Sequence, residues 1–325
     1  MRQLLFCMTI IFFITLSSYT VVLGESTPKK DDTVNYGKAN GDQHQAGDVW
    51  TEPLTGMEFV WVPGGCFQMG TPEGGSFNTV RVQEAEAFEK NVFVSILKMA
   101  SVFFPVGCTS MKTSIPANFD QYTMDERPVH KVCLDGFWIG KHEVTQGQWI
   151  KVMGNNPSYF KSGKDYPVEY VSWDDTCQFI DSLNNKTDVV FSLPTEAQWE
   201  YAARSGGKNE IYSGSDNAGE AAWYFENSEN KTHKVGTKLA NGLGIHDMSG
   251  NIREWCKDMY AKDAYSNHSL HNPIYVSEDK KRIFSRAIRG GSYYLNSCDV
   301  RCASRTWSWK DHNEVDVGFR LIRKN

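Results

Sequence analysis

The chain has 325 residues, a formal net charge of −5 and 13% aromatic residues, ten of them tryptophan. That length fits one large domain or two ordinary ones. The acidic balance, with no Lys/Arg cluster, gives no reason to expect nucleic acid as a partner.

In chain order, Met1-Arg2-Gln3 is a short positive start, residues 4–15 are almost wholly apolar, and Val22-Leu23-Gly24 brings small residues before Glu25. This predicts a secretory signal peptide over residues 1–24 and an exported protein, periplasmic or secreted. The alternative is an uncleaved anchor, because residues 4–23 are just long enough to span a membrane; no other membrane contact is expected. Residues 25–49 are polar, with almost no apolar period, and read as a flexible linker. One folded domain is expected over residues 50–325. After the signal peptide seven cysteines remain, at 66, 108, 133, 177, 256, 298 and 302. In an oxidising compartment some should pair, and an odd count leaves at least one over.

Residues 57–62 and 66–69 read as strands separated by Pro63-Gly64-Gly65. Between 82 and 104, Ala85, Phe88, Val92, Ile96, Ala100 and Phe103 fall at helical spacing until Pro105. A helical insertion is therefore expected over about residues 71–124. It reads as a surface helix with one buried face, or alternatively as a lid or partner-docking element. Residues 130–134 and 137–139 read as a hairpin across Asp135-Gly136. Three helix starts then use one device: Thr145 with Gln148, Ser172 with Asp175 and Thr195 with Gln198 each pair a hydroxyl with an acceptor three residues on. Helices are predicted over 146–153, 173–183 and 196–204. Beyond Gly206 the chain is irregular, with closing strands at 283–288 and 318–322. The pattern argues one large, loop-rich α+β domain with few short helices and strands.

Seven ordered motifs then carry a resemblance. They are Gly56-Met57-Glu58-Phe59-Val60-Trp61-Val62-Pro63-Gly64-Gly65; Glu126-Arg127-Pro128-Val129-His130; Gly140-Lys141-His142-Glu143-Val144-Thr145; Val171-Ser172-Trp173; Leu193-Pro194-Thr195-Glu196-Ala197-Gln198-Trp199; Gly242-Leu243-Gly244-Ile245-His246-Asp247-Met248-Ser249-Gly250-Asn251-Ile252-Arg253-Glu254-Trp255; and Arg289-Gly290-Gly291-Ser292 with Gly318-Phe319-Arg320. Together they resemble the formylglycine-generating (sulfatase-modifying factor) family over about residues 50–323, with a break at 71–124. The resemblance implies that family's variant of the C-type lectin fold. It also implies a structural Ca²⁺ held by the side chains of Asp247 and Glu254 and the carbonyls of Gly250 and Ile252. Hard oxygens of this kind suit calcium.

The family's catalysis uses two cysteines beyond Arg-Gly-Gly-Ser, which bind copper(I) as thiolates and activate oxygen to turn a target cysteine into formylglycine. At those positions this chain has Leu295 and Val300. Neither carries a thiolate, so copper is not expected. Cys298 and Cys302 lie nearby but out of register. They are the weak catalytic candidates, and the competing expectation is disulfides from them to partners such as Cys256. Cys66 and Cys133, on adjacent early strands, are a second candidate pair.

Two functions follow. One is a non-catalytic module binding a protein or glycan through a C-terminal segment that carries Tyr293, Tyr294, Asn296, Trp307, Trp309, His312 and Asn313. The other is an oxidoreductase of the formylglycine-generating type acting on a cysteine or related group of an exported protein. The sequence names neither a ligand nor an oligomeric state.

Overall fold

The structure, a computed structural model, describes residues 44–72, 123–279 and 283–324. The predicted signal peptide, most of the predicted linker and nearly all of the predicted insertion lie outside the described residues. Among the described residues no helix is long and apolar enough to cross a membrane.

The described residues open at the end of the predicted linker, whose last residues belong to the domain. Gly47 N–H donates to the Trp61 carbonyl and Trp61 N–H to that of Asp48, which lays β1 (Val49–Thr51) antiparallel to β2 (Glu58–Val62). β3 (Gly65–Met69) pairs with β4 (His130–Leu134), and Cys66 is disulfide-bonded to its register partner Cys133. β5 (Phe137–Gly140) joins β2 on one side and β11 (Ile322–Arg323) on the other; β6 (Phe191–Ser192) closes that five-stranded sheet in the order β1-β2-β5-β11-β6.

The hairpin expected across Asp135-Gly136 therefore does not form, because β4 and β5 belong to different sheets. All four β5 residues are buried. A strand apolar on both faces is best placed at a sheet centre rather than in a ribbon with one wet side. The chain leaves one sheet for the other twice, at Gly64 and at Gly136, and the two crossings touch. A Cβ on Gly64 would lie 2.9 Å from Gly136 N, and one on Gly136 would lie 2.5 Å from the Trp61 ring. Glycine here permits close backbone approach.

The second large sheet runs β10-β7-β8-β9, with β7 Arg253–Met259, β8 Ser285–Arg289, β9 Arg305–Trp309 and β10 Val317–Gly318. The expected closing strand at 318–322 is in fact two short strands in two sheets. β10 lies parallel to β7, whereas β11 lies antiparallel to β5 and β6. Between them Phe319 and Leu321 are buried in the core.

Helices α1 (Gln146–Met153), α2 (Trp173–Asn184) and α3 (Glu196–Ala203) start where predicted. Each has a complete capping box: the Thr145, Ser172 or Thr195 hydroxyl accepts from the third helical N–H, and that residue's side chain accepts back from the cap N–H. A single turn, α4 (Ala218–Ala221), follows. Trp199 of α3 is fully buried, as its spacing from the cap predicts.

Arginines occupy the interior. Arg289 donates to Glu196 (2.9 Å) and Glu200 (2.6 Å), and Arg305 grips Glu196 with two bonds of 2.7 Å. All of these side chains are buried. Burial acts to raise the Glu196 carboxyl, but Arg305 and Arg289 overcome it and hold the group down at about 2. These charges tie α3 to β8 and β9.

Candidate functional site

The segment after Arg289-Gly290-Gly291-Ser292 is a run of turns rather than a strand. Gly290 and Gly291 both have positive φ, and a Cβ on Gly291 would lie within 2.7 Å of Val300. Val300 is buried against Tyr212, Tyr224 and the alanines of α4. Leu295 is half-buried, and its carbonyl accepts from Phe225 N–H. Arg301 reaches across to Glu126 at 2.7 and 3.0 Å. Cys302 is buried: its N–H donates to the Ile211 carbonyl, its carbonyl accepts from Arg289, and its thiol donates to the Ala203 carbonyl. Burial pushes that thiol up to about 12. Cys298, in contrast, is disulfide-bonded, and its partner is not among the described residues. The expected link from Cys298 or Cys302 to Cys256 does not form, because Cys256 and Cys302 are both buried free thiols. Each sits in the apolar core, where a thiol behaves as a small hydrophobe.

The residues predicted to face a ligand divide into two groups. Trp307 and Trp309, each 39% exposed, lie on β9; Trp307 stacks on Tyr260, and Trp309 meets Trp307 edge-on. His312 N–H closes the turn after them on the Trp309 carbonyl. Tyr293, Tyr294 and Asn313 belong to the other group. Tyr293 is buried edge-on against Phe160 and Tyr294. Tyr294 is 40% exposed; burial, with Asp316 adding to it, raises its phenol. Asn313 donates to the Tyr170 carbonyl and to Asp175. Asn296 is exposed on the tip between them and donates to Asp299.

Several residues that sequence reasoning missed complete the second group. Arg253 forks onto Asp316 with two bonds of 2.6 Å and reaches Glu314 at 2.7 Å. Glu169 is buried; its Oε1 accepts from Phe160 N–H at 2.7 Å, whereas its Oε2 is shielded from solvent without a hydrogen-bond partner. Burial pushes the Glu169 carboxyl up to about 7 against the Phe160 and Tyr159 N–H groups, and Asp316 adds to the rise. The available signal was an acid inside an apolar run, Val168-Glu169-Tyr170-Val171 and Val315-Asp316-Val317.

On the far side of Asn251 lies the predicted metal segment. Asp247 is buried with φ 58° and accepts from Gly236 N–H at 2.6 Å. Glu254 is bound at 2.7 Å by both Arg320 Nε and Nη2, and at 2.8 Å by Trp199. Gly250 has φ 79°, so its turn suits glycine, and Ile252 is fully buried. Glu143 joins this group: its Oε1 accepts from Asn251, and Oε2 has no partner. Burial raises both carboxyls, and Asp247 raises Glu143 further. Three acids thus surround one buried guanidinium. Among the described residues no three His, Cys, Asp or Glu side chains form a metal cage.

The sulfatase-modifying factor enzyme 1-like domain family matches this chain over residues 45–325. The chain belongs to that family. The domain is similar to the chaperone protein LppX of Paenibacillus barcinonensis, with 38% identity over 182 residues, covering 40% of this chain and 65% of LppX. It is similar to the formylglycine-generating enzyme of Mus musculus, 24% identical over 300 residues, covering 82% of this chain and 75% of that one. The chain spans less than two thirds of LppX, and 35% of the serine/threonine-protein kinase pkn1 of Chlamydia caviae, to which it is 28% identical. The solved structure of PvdO from Pseudomonas aeruginosa shares the fold, with a TM-score of 0.64 and 21% identity, covering 87% of this chain and all of PvdO.

Proposed function

We propose that this chain is a non-catalytic member of the sulfatase-modifying factor family, an exported module that holds a protein or glycan ligand on its C-terminal face. The observation that supports this reading is the state of its sulfur. Counted on from Arg289-Gly290-Gly291-Ser292, the resemblance puts the family's cysteine pair at Leu295 and Val300; Cys298 is committed to a disulfide, and Cys302 is a core thiol with burial pushing it toward about 12. Copper(I) and oxygen chemistry of the family's kind needs two accessible thiolates facing one another. The Cys66–Cys133 disulfide supports export, since such bonds persist in oxidising compartments.

Structural calcium is part of the same proposal. Asp247 and Glu254 with the carbonyls of Gly250 and Ile252 would hold it, and a divalent cation would offset the excess of carboxylate over guanidinium around Arg320. The donor chemistry fits: hard oxygens, two of them from backbone. Bound there, the ion would supply cross-linking of the 247–254 loop and no chemistry on a substrate. A chelator should then lower the melting temperature, and calcium should restore it.

The test of function is copper(I) titration together with an oxygen-dependent assay on a cysteine peptide. The proposal expects no stoichiometric copper site and no conversion. Stoichiometric copper lost on Cys298→Ser or Cys302→Ser, with turnover of the peptide, would establish the oxidoreductase instead.

A further inference from the structure

We propose that the C-terminal face recognises a primary alkylammonium group, the chemistry of a lysine side chain or of a free amine, at Glu169. The inference deepens the binding reading given above and rests on it.

Glu169 is a built anchor that lacks a partner. The Phe160 N–H fixes Oε1 at 2.7 Å, yet Oε2 is buried with no donor. A buried carboxylate oxygen normally has a partner, and leaving one without costs about 1–3 kcal/mol or more. Beside it, Asp316 is engaged by the planar fork of Arg253, so the neighbouring acid already shows how this face receives a cation. With Glu169, Asp316 and Glu314 against the single guanidinium of Arg253, the cluster carries more acid than base.

The surroundings supply the rest of the recognition. Tyr159, Phe160, Tyr293 and Tyr294 form a continuous chain of edge-on rings 5.1–5.5 Å apart. Its two ends are open to solvent, with Tyr159 66% and Tyr294 40% exposed. Ring faces attract a cation, and the rings receive an alkyl stem. The missing partner at Oε2 selects among cations. Only an N–H donor completes it, so a primary ammonium fits better than a quaternary one. A glycan hydroxyl would also donate, but it would leave the charge excess in place.

The experiment is calorimetric titration of the full chain with Nα-acetyl-lysine methylamide, its Nε-trimethyl form, the norleucine analogue and butylamine. The lysine derivative should bind, the norleucine analogue should not, and the trimethyl form should bind about tenfold more weakly, the loss of one charge-assisted hydrogen bond. Glu169→Gln should weaken lysine binding by about tenfold or more. Tyr294→Ala, a change at an exposed ring, should weaken it in a chain whose fold is unchanged by circular dichroism. Butylamine binding as tightly as the lysine derivative identifies free amines as the source; a clear preference for the lysine derivative identifies a polypeptide. Failure of every amine to bind the folded protein, or equal affinity of wild type and Glu169→Gln, overturns the inference. Stoichiometric copper or peptide oxidation with amine binding intact would sink only the non-catalytic reading.

Discussion

Glu196 receives three charge-assisted bonds from Arg289 and Arg305 in a site closed to water. Removing one side of such a group leaves the other buried and unpaired. Glu196→Gln should therefore lower stability by about 3–5 kcal/mol in chemical denaturation. With the folded carboxyl held at about 2, below its ordinary 4.5, the stabilisation is present above pH 4.5 and is lost as pH falls through about 2. Asp258 works in the opposite sense. Burial and Glu196 push it up to about 7, against the N–H groups of Tyr275 and Glu196 and the charge of Arg305. Between pH 3.8 and 7 the folded chain thus holds a proton that the unfolded chain has released. Its contribution falls as pH rises through that window, and Asp258→Asn should flatten this part of the stability profile. Neither the Glu196 ion pairs nor the unpartnered Glu169 oxygen is legible in the sequence. Acids in apolar surroundings are visible there, but the partners lie about ninety residues or more away for Glu196, and the missing partner of Glu169 is a fact of three-dimensional placement.

The three helices were legible because their signals are local. A hydroxyl and an amide or carboxyl three residues apart close the same box wherever they occur, and here all three boxes are complete. Thr195→Ala should cost about 1 kcal/mol, measured by thermal or urea unfolding, as should Ser172→Ala. Strand positions were largely legible as well, but strand partners were not. Asp135-Gly136 has the composition of a hairpin turn, yet which sheet receives β5 depends on Trp61 lying against Gly136 and on β11, almost two hundred residues further on. Similarly, 318–322 reads as one strand because Phe319 and Leu321 are apolar. Their packing between sheets turns it into two.

At the scale of the whole molecule, ordered motifs carried the fold and the family, since the match at 45–325 depends on many fixed points of packing at once. Function was less legible, because it rests on which of a few side chains are open, paired or buried. The Cys66–Cys133 disulfide spans 67 residues. In the chain-entropy account a loop of that length is worth about 4 kcal/mol, so Cys66→Ser with Cys133→Ser should show a loss of that order in denaturant unfolding under non-reducing conditions. The proposed non-catalytic role stands or falls with the sulfurs at the end of the chain. Native alkylation followed by denaturation, second labelling and peptide mapping reads them most directly. The account predicts Cys298 in a disulfide and Cys302 labelled only after denaturation. Rapid native labelling of both Cys298 and Cys302 would contradict it.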